Sequence, residues 1–158
     1  MRLLFLLLSG LVFTVSALGQ NADKVLEAKL MAVLDNYMDA VNRIEIEAVT
    51  DTYHFPHYRI INHQVVVWHT AEQAMPMLGL PREQQVRAMR DALGPDWQRT
   101  DWAYRKMLSH SETKAHFETE LVRYNSKGEE ISRFESLYIL TKDNGRWAIK
   151  ARSSFAPR

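Results

Sequence analysis

Two hydrophobic periodicities divide the chain. From Asp23 the apolar residues fall at Val25, Leu26, Leu30, Val33, Leu34, Tyr37, Met38 and Val41. These positions form one stripe of a helix running to about Arg43. Ile46, Val49, Thr50 and Tyr53 suggest a short second helix, which Pro56 ends by disfavouring helix at Phe55. His57–Asn62 and Gln64–Thr70 are rich in β-branched and aromatic residues and read as strands. Ala71–Leu93 is helical in composition, interrupted by Pro76 and Pro81 and stopped by Gly94-Pro95. Beyond it the period changes to two. Trp97–His110, Lys114–Tyr124, Glu130–Thr141 and Arg146–Phe155 read as four strands, separated by turn signals at Ser111–Thr113, Lys127-Gly128 and Asn144-Gly145. Helices first and an antiparallel meander later predict an α+β domain.

The turns set a register. A two-residue Asn144-Gly145 turn pairs Asp143 with Arg146, and hence Leu137 with Arg152. A two-residue Lys127-Gly128 turn pairs Ser126 with Glu129, and hence Glu120 with Glu135. Strict alternation then places Phe117, Thr119, Leu121, Phe134, Ser136, Tyr138, Leu140, Trp147, Ile149, Ala151 and Phe155 on one face. His116, Glu118, Glu120, Val122, Arg133, Glu135, Leu137, Ile139, Lys150, Arg152 and Ser154 fall on the other. The first face is strongly apolar and must be covered. The second mixes apolar residues with charges of both signs, and sets Glu135 diagonally beside Arg152, within reach of long side chains.

Composition narrows the function classes. The 158 residues suit one domain, with 46% hydrophobic and 25% charged positions as in ordinary globular proteins. Twenty basic against 19 acidic residues provide no basic stripe for a nucleic acid, so none is expected as a partner. The absence of cysteine excludes a disulfide scaffold, a thiol nucleophile, a thiolate zinc site and an iron–sulfur cluster.

The first residues read as a secretory leader. Arg2 precedes the apolar run Leu3-Leu4-Phe5-Leu6-Leu7-Leu8, which continues to about Leu18. Ala17-Leu18-Gly19 offers small residues where a signal peptidase reads, so cleavage is expected before Gln20. The alternative, an uncleaved anchor, has only about 16 apolar-rich residues where a span needs ~20. The expected organisation is a signal peptide over 1–19 and a single domain over 20–158, secreted into a bacterial periplasm, with no stable membrane insertion after cleavage. Losing Arg2 leaves acidic and basic residues balanced.

Several residues could carry chemistry. His54-x-x-His57 flanks Phe55-Pro56, so the two imidazoles share neither a helix face nor a strand face, and no metal is expected. No Gly-rich phosphate loop, G-x-S-x-G motif or P-loop is present, and no cofactor is expected. His57 is either a surface histidine at a strand start or a polar pocket residue able to exchange a proton near neutrality; Arg59 shares its parity. Tyr37 and Tyr53 are core tyrosines or pocket hydroxyls. Glu135 with Arg152 is either a structural ion pair or an arginine steadied by a carboxylate, its remaining donors free for an anionic or carbonyl ligand. Glu120 would be the second carboxylate of that cluster. Trp68, Trp97 and Trp102 could wall a pocket or pack.

Three patches carry a resemblance. They are Asn36-Tyr37-Met38-Asp39-Ala40-Val41 with Ile46-Glu47-Ala48-Val49 and Tyr53, then Arg133-Phe134-Glu135-Ser136-Leu137-Tyr138, then Asn144 through Phe155 with its Gly145-Arg146-Trp147 core. Over about residues 25–157 the chain resembles the nuclear transport factor 2-like superfamily, including its SnoaL-like branch, its ketosteroid isomerases and the association domain of calcium/calmodulin-dependent kinase II. The resemblance implies a cone-shaped curved antiparallel sheet wrapped around helices, with a pocket at the open end. It also implies that Tyr37 stands where the isomerases keep an oxyanion donor. Matching the last two strands turns Glu135, Leu137, Lys150, Arg152 and Ser154 toward the pocket and makes the apolar face an outer one, buried in a homodimer. Amphipathicity alone predicts the reverse, with Trp147 and Ile149 in the core.

The positions matching the isomerases' two carboxyl groups lie near Ile61 and at Leu137. Both are apolar, so a classical ketosteroid isomerase is not expected. The resemblance leaves three readings. The first is an exported module binding a small anionic or carbonyl ligand through Tyr37, Tyr53, His57, Arg59, Glu120, Glu135 and Arg152. The second is an isomerase, dehydratase, lyase or cyclase using His57 or Glu135 with Tyr37. The third is a non-catalytic dimerisation module.

Overall fold

Both periodicities become the expected kinds of element in the computed structural model, which describes residues 10–94 and 96–157. Helix α1 runs Gly10–Arg43, α2 Ile46–Asp51, α3 Ala71–Ala74 and α4 Arg82–Leu93. Strands are β1 Tyr53–Ile61, β2 Gln64–Trp68, β3 Arg99–His110, β4 Lys114–Tyr124, β5 Glu130–Asp143 and β6 Arg146–Ser154. Residues 1–9 of the expected leader lie outside the described residues, and the backbone is already helical at Gly10. The chain divides into two compact units, residues 1–32 and 33–158. The described part of the first is helix α1 up to Ala32; the second holds every other element.

In the second unit the strands form one sheet in the order β2-β1-β6-β5-β4-β3, antiparallel except for β1 against β6. The sheet is curved and unclosed. One-residue bulges at Ala103 and Leu108 in β3, Ile131 in β5 and Lys150 in β6 bend it, each adding local twist. The face carrying Phe117, Thr119, Leu121, Phe134, Tyr138, Leu140 and Ile149 is buried. Tyr37 of α1 meets Tyr138 of that face edge-on, with ring centroids 6.0 Å apart. Asn42 fastens the end of α1 to the sheet, donating to the Thr100 carbonyl and accepting from the Thr100 amide, both at 2.8 Å. Arg82, at the start of α4, donates to the carbonyls of Arg43 and Ile44 at the C-terminus of α1.

This arrangement corrects the sheet orientation that the resemblance implied. The apolar face is the chain's own core, as its amphipathicity demands, so it is not the dimer surface expected above. Phe117, Leu121, Tyr138, Leu140, Trp147 and Ile149 are all buried within one chain.

The register around the site also departs from strict alternation. At Asn144-Gly145 both residues have positive φ (49° and 80°) and Asp143 pairs with Arg146, as the two-residue turn requires. Lys150 then bulges, so that Leu140 faces Ile149 but Ile139 faces Ala151. Arg152 therefore pairs with Tyr138, not Leu137, and parity inverts for the rest of β6. Arg152 and Ser154 turn into the core, while Ala151 is half-buried and Phe155 exposed.

Candidate functional site

The bulged end of β6 brings a guanidinium into a bed of neutral groups. Arg152 is 8% exposed. Its Nη1 donates to the Tyr37 hydroxyl at 3.2 Å. Its Nη2 donates to Ser136 Oγ at 3.2 Å and Ser154 Oγ at 3.4 Å, and its Nε to Ser136 Oγ at 3.4 Å. Ser136 and Ser154 are themselves bonded at 2.9 Å. The guanidinium lies over the Tyr138 ring at 4.8 Å and the Phe134 ring at 5.9 Å. Among the described residues every hydrogen-bond acceptor of this guanidinium is a hydroxyl. Among the described residues no carboxylate lies within ion-pair reach of it.

A second arginine stands beside it. Parallel pairing of β1 with β6 sets Arg59 directly opposite Arg152, so the two side chains leave the same face of the sheet. Arg59 lies 5.9 Å from the Trp68 ring, and its buried Nε has no hydrogen-bond partner among the described residues. Burial, and next the Arg152 charge, lower the pKa of Arg59 from its ordinary value.

Next along the same face, His57 is fully buried. It is stacked between Tyr53 (centroids 4.1 Å apart) and Trp68 (5.6 Å). Its Nδ1 lies 3.1 Å from the Ile149 carbonyl. A carbonyl can only accept, so the proton sits on Nδ1 and leaves Nε2 as a buried acceptor with no partner among the described residues. Burial, reinforced by Arg59 and Arg152 and only partly offset by the Ile149 bond, lowers the imidazole to about 4. At neutral pH His57 is uncharged: an acceptor for a ligand O–H or N–H and a weak base.

The three tyrosines differ. Burial raises Tyr37, but the charges of Arg152 and Arg59 outweigh it and hold this phenol below its ordinary range. Burial leaves Tyr53 and Tyr138 well above theirs. Tyr37 is therefore the most acidic hydroxyl of the group. The arrangement sets two adjacent cations beside an acidic phenol and a neutral imidazole acceptor. Cations would be repelled, and among the described residues no cluster of His, Asp and Glu could hold a metal.

Of the residues expected at the site, the structure brings together Tyr37, Tyr53, His57, Arg59 and Arg152. Glu120 and Glu135 are corrections. Glu135 is exposed on the opposite face, and Glu120, across from it, pairs with Arg133 at 3.1 Å. Both pair as the turn register requires, but the Lys150 bulge moves Arg152 away from them. His54 and His57 do not converge: His54 Nδ1 is bonded to Thr141 Oγ1 at 3.0 Å. Sequence reasoning missed Ser136 and Tyr138 as partners of Arg152. The available signal was chemical: both are hydroxyl residues, with Thr119, on a largely apolar face.

The family described as NTF2-like protein (DUF6841) matches residues 27–154. The chain belongs to this NTF2-like family. Solved structures agree with the fold. An NTF2-like protein of unknown function from Pseudomonas putida KT2440 superposes with a TM-score of 0.63 at 13% identity, covering 85% of this chain and 88% of that one. An NTF-2 like protein of unknown function from Shewanella oneidensis MR-1 has a TM-score of 0.58 at 13% identity, covering 81% and 97%. The association domain of C. elegans calcium/calmodulin-dependent kinase II has 0.59 at 12% identity, covering 85% and 98%. No curated protein matches the sequence.

Proposed function

We propose that this NTF2-like domain is an exported small-molecule-binding module that holds an anionic ligand, a carboxylate or enolate, against Arg59 and Arg152. One observation carries the reading: two neighbouring inward-facing arginines have no carboxylate partner among the described residues. An unneutralised guanidinium in a dry site costs several kcal/mol, and a second one beside it adds repulsion. A ligand oxyanion supplies the missing counter-charge through charge-assisted bonds that Arg forms well. In this reading Tyr37, bonded to Arg152, donates to the same oxygen, and His57 Nε2 accepts from a donor on the ligand.

Titration calorimetry with a panel of small carboxylates and their amides tests this. Carboxylates are expected to bind and amides not. Arg59→Met and Arg152→Met should each abolish binding, whereas Glu135→Gln should leave it unchanged. Binding that ignores both arginine substitutions would overturn the reading. Export rests on the Leu3–Leu8 run and Ala17-x-Gly19. Intact-mass measurement from the native host should find a chain starting at Gln20.

Self-association has its own support. On the outward face of β1 and β2, Tyr58, Ile60, Val65 and Val67 are 38%, 44%, 66% and 37% exposed, beside the half-buried Leu137 and Ile139. Adjacent strands bring these residues into one apolar patch, of a kind that marks interaction surfaces. We assign a homodimer to this face, in place of the buried one expected from sequence. Ile60→Lys with Val65→Lys should shift light-scattering mass from dimer to monomer.

A further inference from the structure

A hollow of about 480 Å³ lies where the β3–β4 and β5–β6 turns meet the start of β1. Its walls come from four separate segments: His54, then Ser111 with Thr113 and Lys114, then Thr141–Asp143, and Lys150. The amide of Lys142 donates to the Thr113 carbonyl at 2.8 Å, stitching the two turns together. Ser111 Oγ accepts from the amides of Thr113 and Lys114, which fixes the first turn. Lys114, Lys142 and Lys150 thus converge on one concavity from three strands. Asp143 is the one carboxylate among the lining residues, and none of the three lysines is ion-paired among the described residues. His54 closes the floor. It is 7% exposed and held by Thr141, so its position is set before any ligand arrives.

We propose that this hollow binds a phosphate monoester, independently of the arginine site. Three ammonium groups against one carboxylate leave an excess of two positive charges, which a dianion neutralises and a diester monoanion does not. Lysine ammonium groups and the Thr113 hydroxyl are suitable donors to phosphate oxygens. The same Lys150 bulge that turns Arg152 inward leaves Lys150 outward, 5.7 Å from the Tyr58 ring. The hollow therefore opens on the face opposite to Arg59 and Arg152.

His54 supplies a local read-out. Burial, then the charges of Arg146 and Lys150 against that of Asp143, hold its imidazole below the ordinary value. A dianion in the hollow should raise it. The experiment is a titration of the full protein with inorganic phosphate, followed by NMR of the His54 ring at matched ionic strength with chloride. A saturable shift of His54 toward the protonated form is expected. Lys142→Gln with Lys150→Gln should weaken binding about fivefold or more, and Lys127→Gln on the distant turn should not change it. Dimethyl phosphate should bind more weakly than inorganic phosphate. The proposal is overturned by a His54 response no larger than chloride causes, by undiminished binding in the double variant, or by equal affinity for the diester.

Discussion

The β4–β5 and β5–β6 hairpins are neighbours with opposite outcomes. In the first, the loop is one residue longer than Lys127-Gly128 suggests: Asn125 pairs with Glu129, their backbone bond 3.0 Å long. Ile131 then bulges and removes the offset, so Glu120 meets Glu135 as a two-residue turn would have it. In the second hairpin the turn is the expected one, yet Lys150 bulges with nothing to compensate it. A wrong turn with a right register sits beside a right turn with a wrong register. Because side chains alternate with period two, one uncompensated residue changes the face of everything after it. It separates Arg152 from the glutamates and presses it against hydroxyls.

If the face assignments of the first hairpin are right, the largest effect comes from its inward residues. Phe117→Ala should cost about 3–5 kcal/mol and Leu140→Ala about 2–5 kcal/mol by denaturant unfolding, because each empties a fully buried position. The outward Ile139→Ala should cost less than about 1.5 kcal/mol, since Ile139 is only half-buried. Equal costs on the two faces would reverse the sheet.

The next effect is in pH. The folded chain holds His57 at about 4, against an ordinary 6.5 in the unfolded chain. Above pH 6.5 neither state binds this proton and stability is unaffected. As pH falls from about 6.5 to 4 the unfolded chain takes up a proton that the folded chain refuses. Stability therefore drops across that window by about 3 kcal/mol, levelling off below it. His57→Phe should remove this component. A wild-type and variant difference that does not change between pH 7 and pH 4.5 would contradict the neutral, buried imidazole.

How much of this was legible follows from the range of each signal. Helix α1 and the four long strands were readable because their periodicity repeats over many residues, as in the stripe Leu30, Leu34, Tyr37, Met38 and Val41. The Asn144-Gly145 turn was readable because its geometry demands positive φ at both positions. Tyr37, His57, Arg59 and Arg152 stood out as polar groups on elements expected to be largely buried. The Lys150 bulge was not legible. Lys150-Ala151-Arg152-Ser153-Ser154 has no strong apolar alternation, so nothing local in that run fixes which side chains face inward. The family resemblance supplied an orientation that conflicted with the amphipathic pattern, and burial of the large apolar residues prevailed.

A smaller effect, of unusual sign, concerns Arg152 itself. Arg152→Met removes a buried charge that meets hydroxyl oxygens and two aromatic faces but no carboxylate among the described residues, and relieves its repulsion with Arg59. Ser136 and Ser154 keep their mutual bond. The variant should therefore be more stable by about 1–2 kcal/mol while losing carboxylate binding, the trade-off expected of a binding site. A loss of 3–5 kcal/mol would instead mean that Arg152 has an anionic partner in the folded chain.

The smallest effect decides most sharply between the two hairpins' registers. With strict alternation through Lys150, Arg152 and Glu135 would be diagonal partners on one face, and removing either would expose the other's need for it. With the bulge they lie on opposite faces, and Glu135 is exposed to water. Glu135→Gln alone should change stability by less than about 0.5 kcal/mol, as for other exposed carboxylates without a tight partner. The double variant with Arg152→Met should equal the sum of the single changes within about 0.5 kcal/mol, because the two side chains share no contact. A measured coupling of about 1 kcal/mol or more would mean that the guanidinium reaches Glu135 after all, and that Lys150 does not bulge in solution.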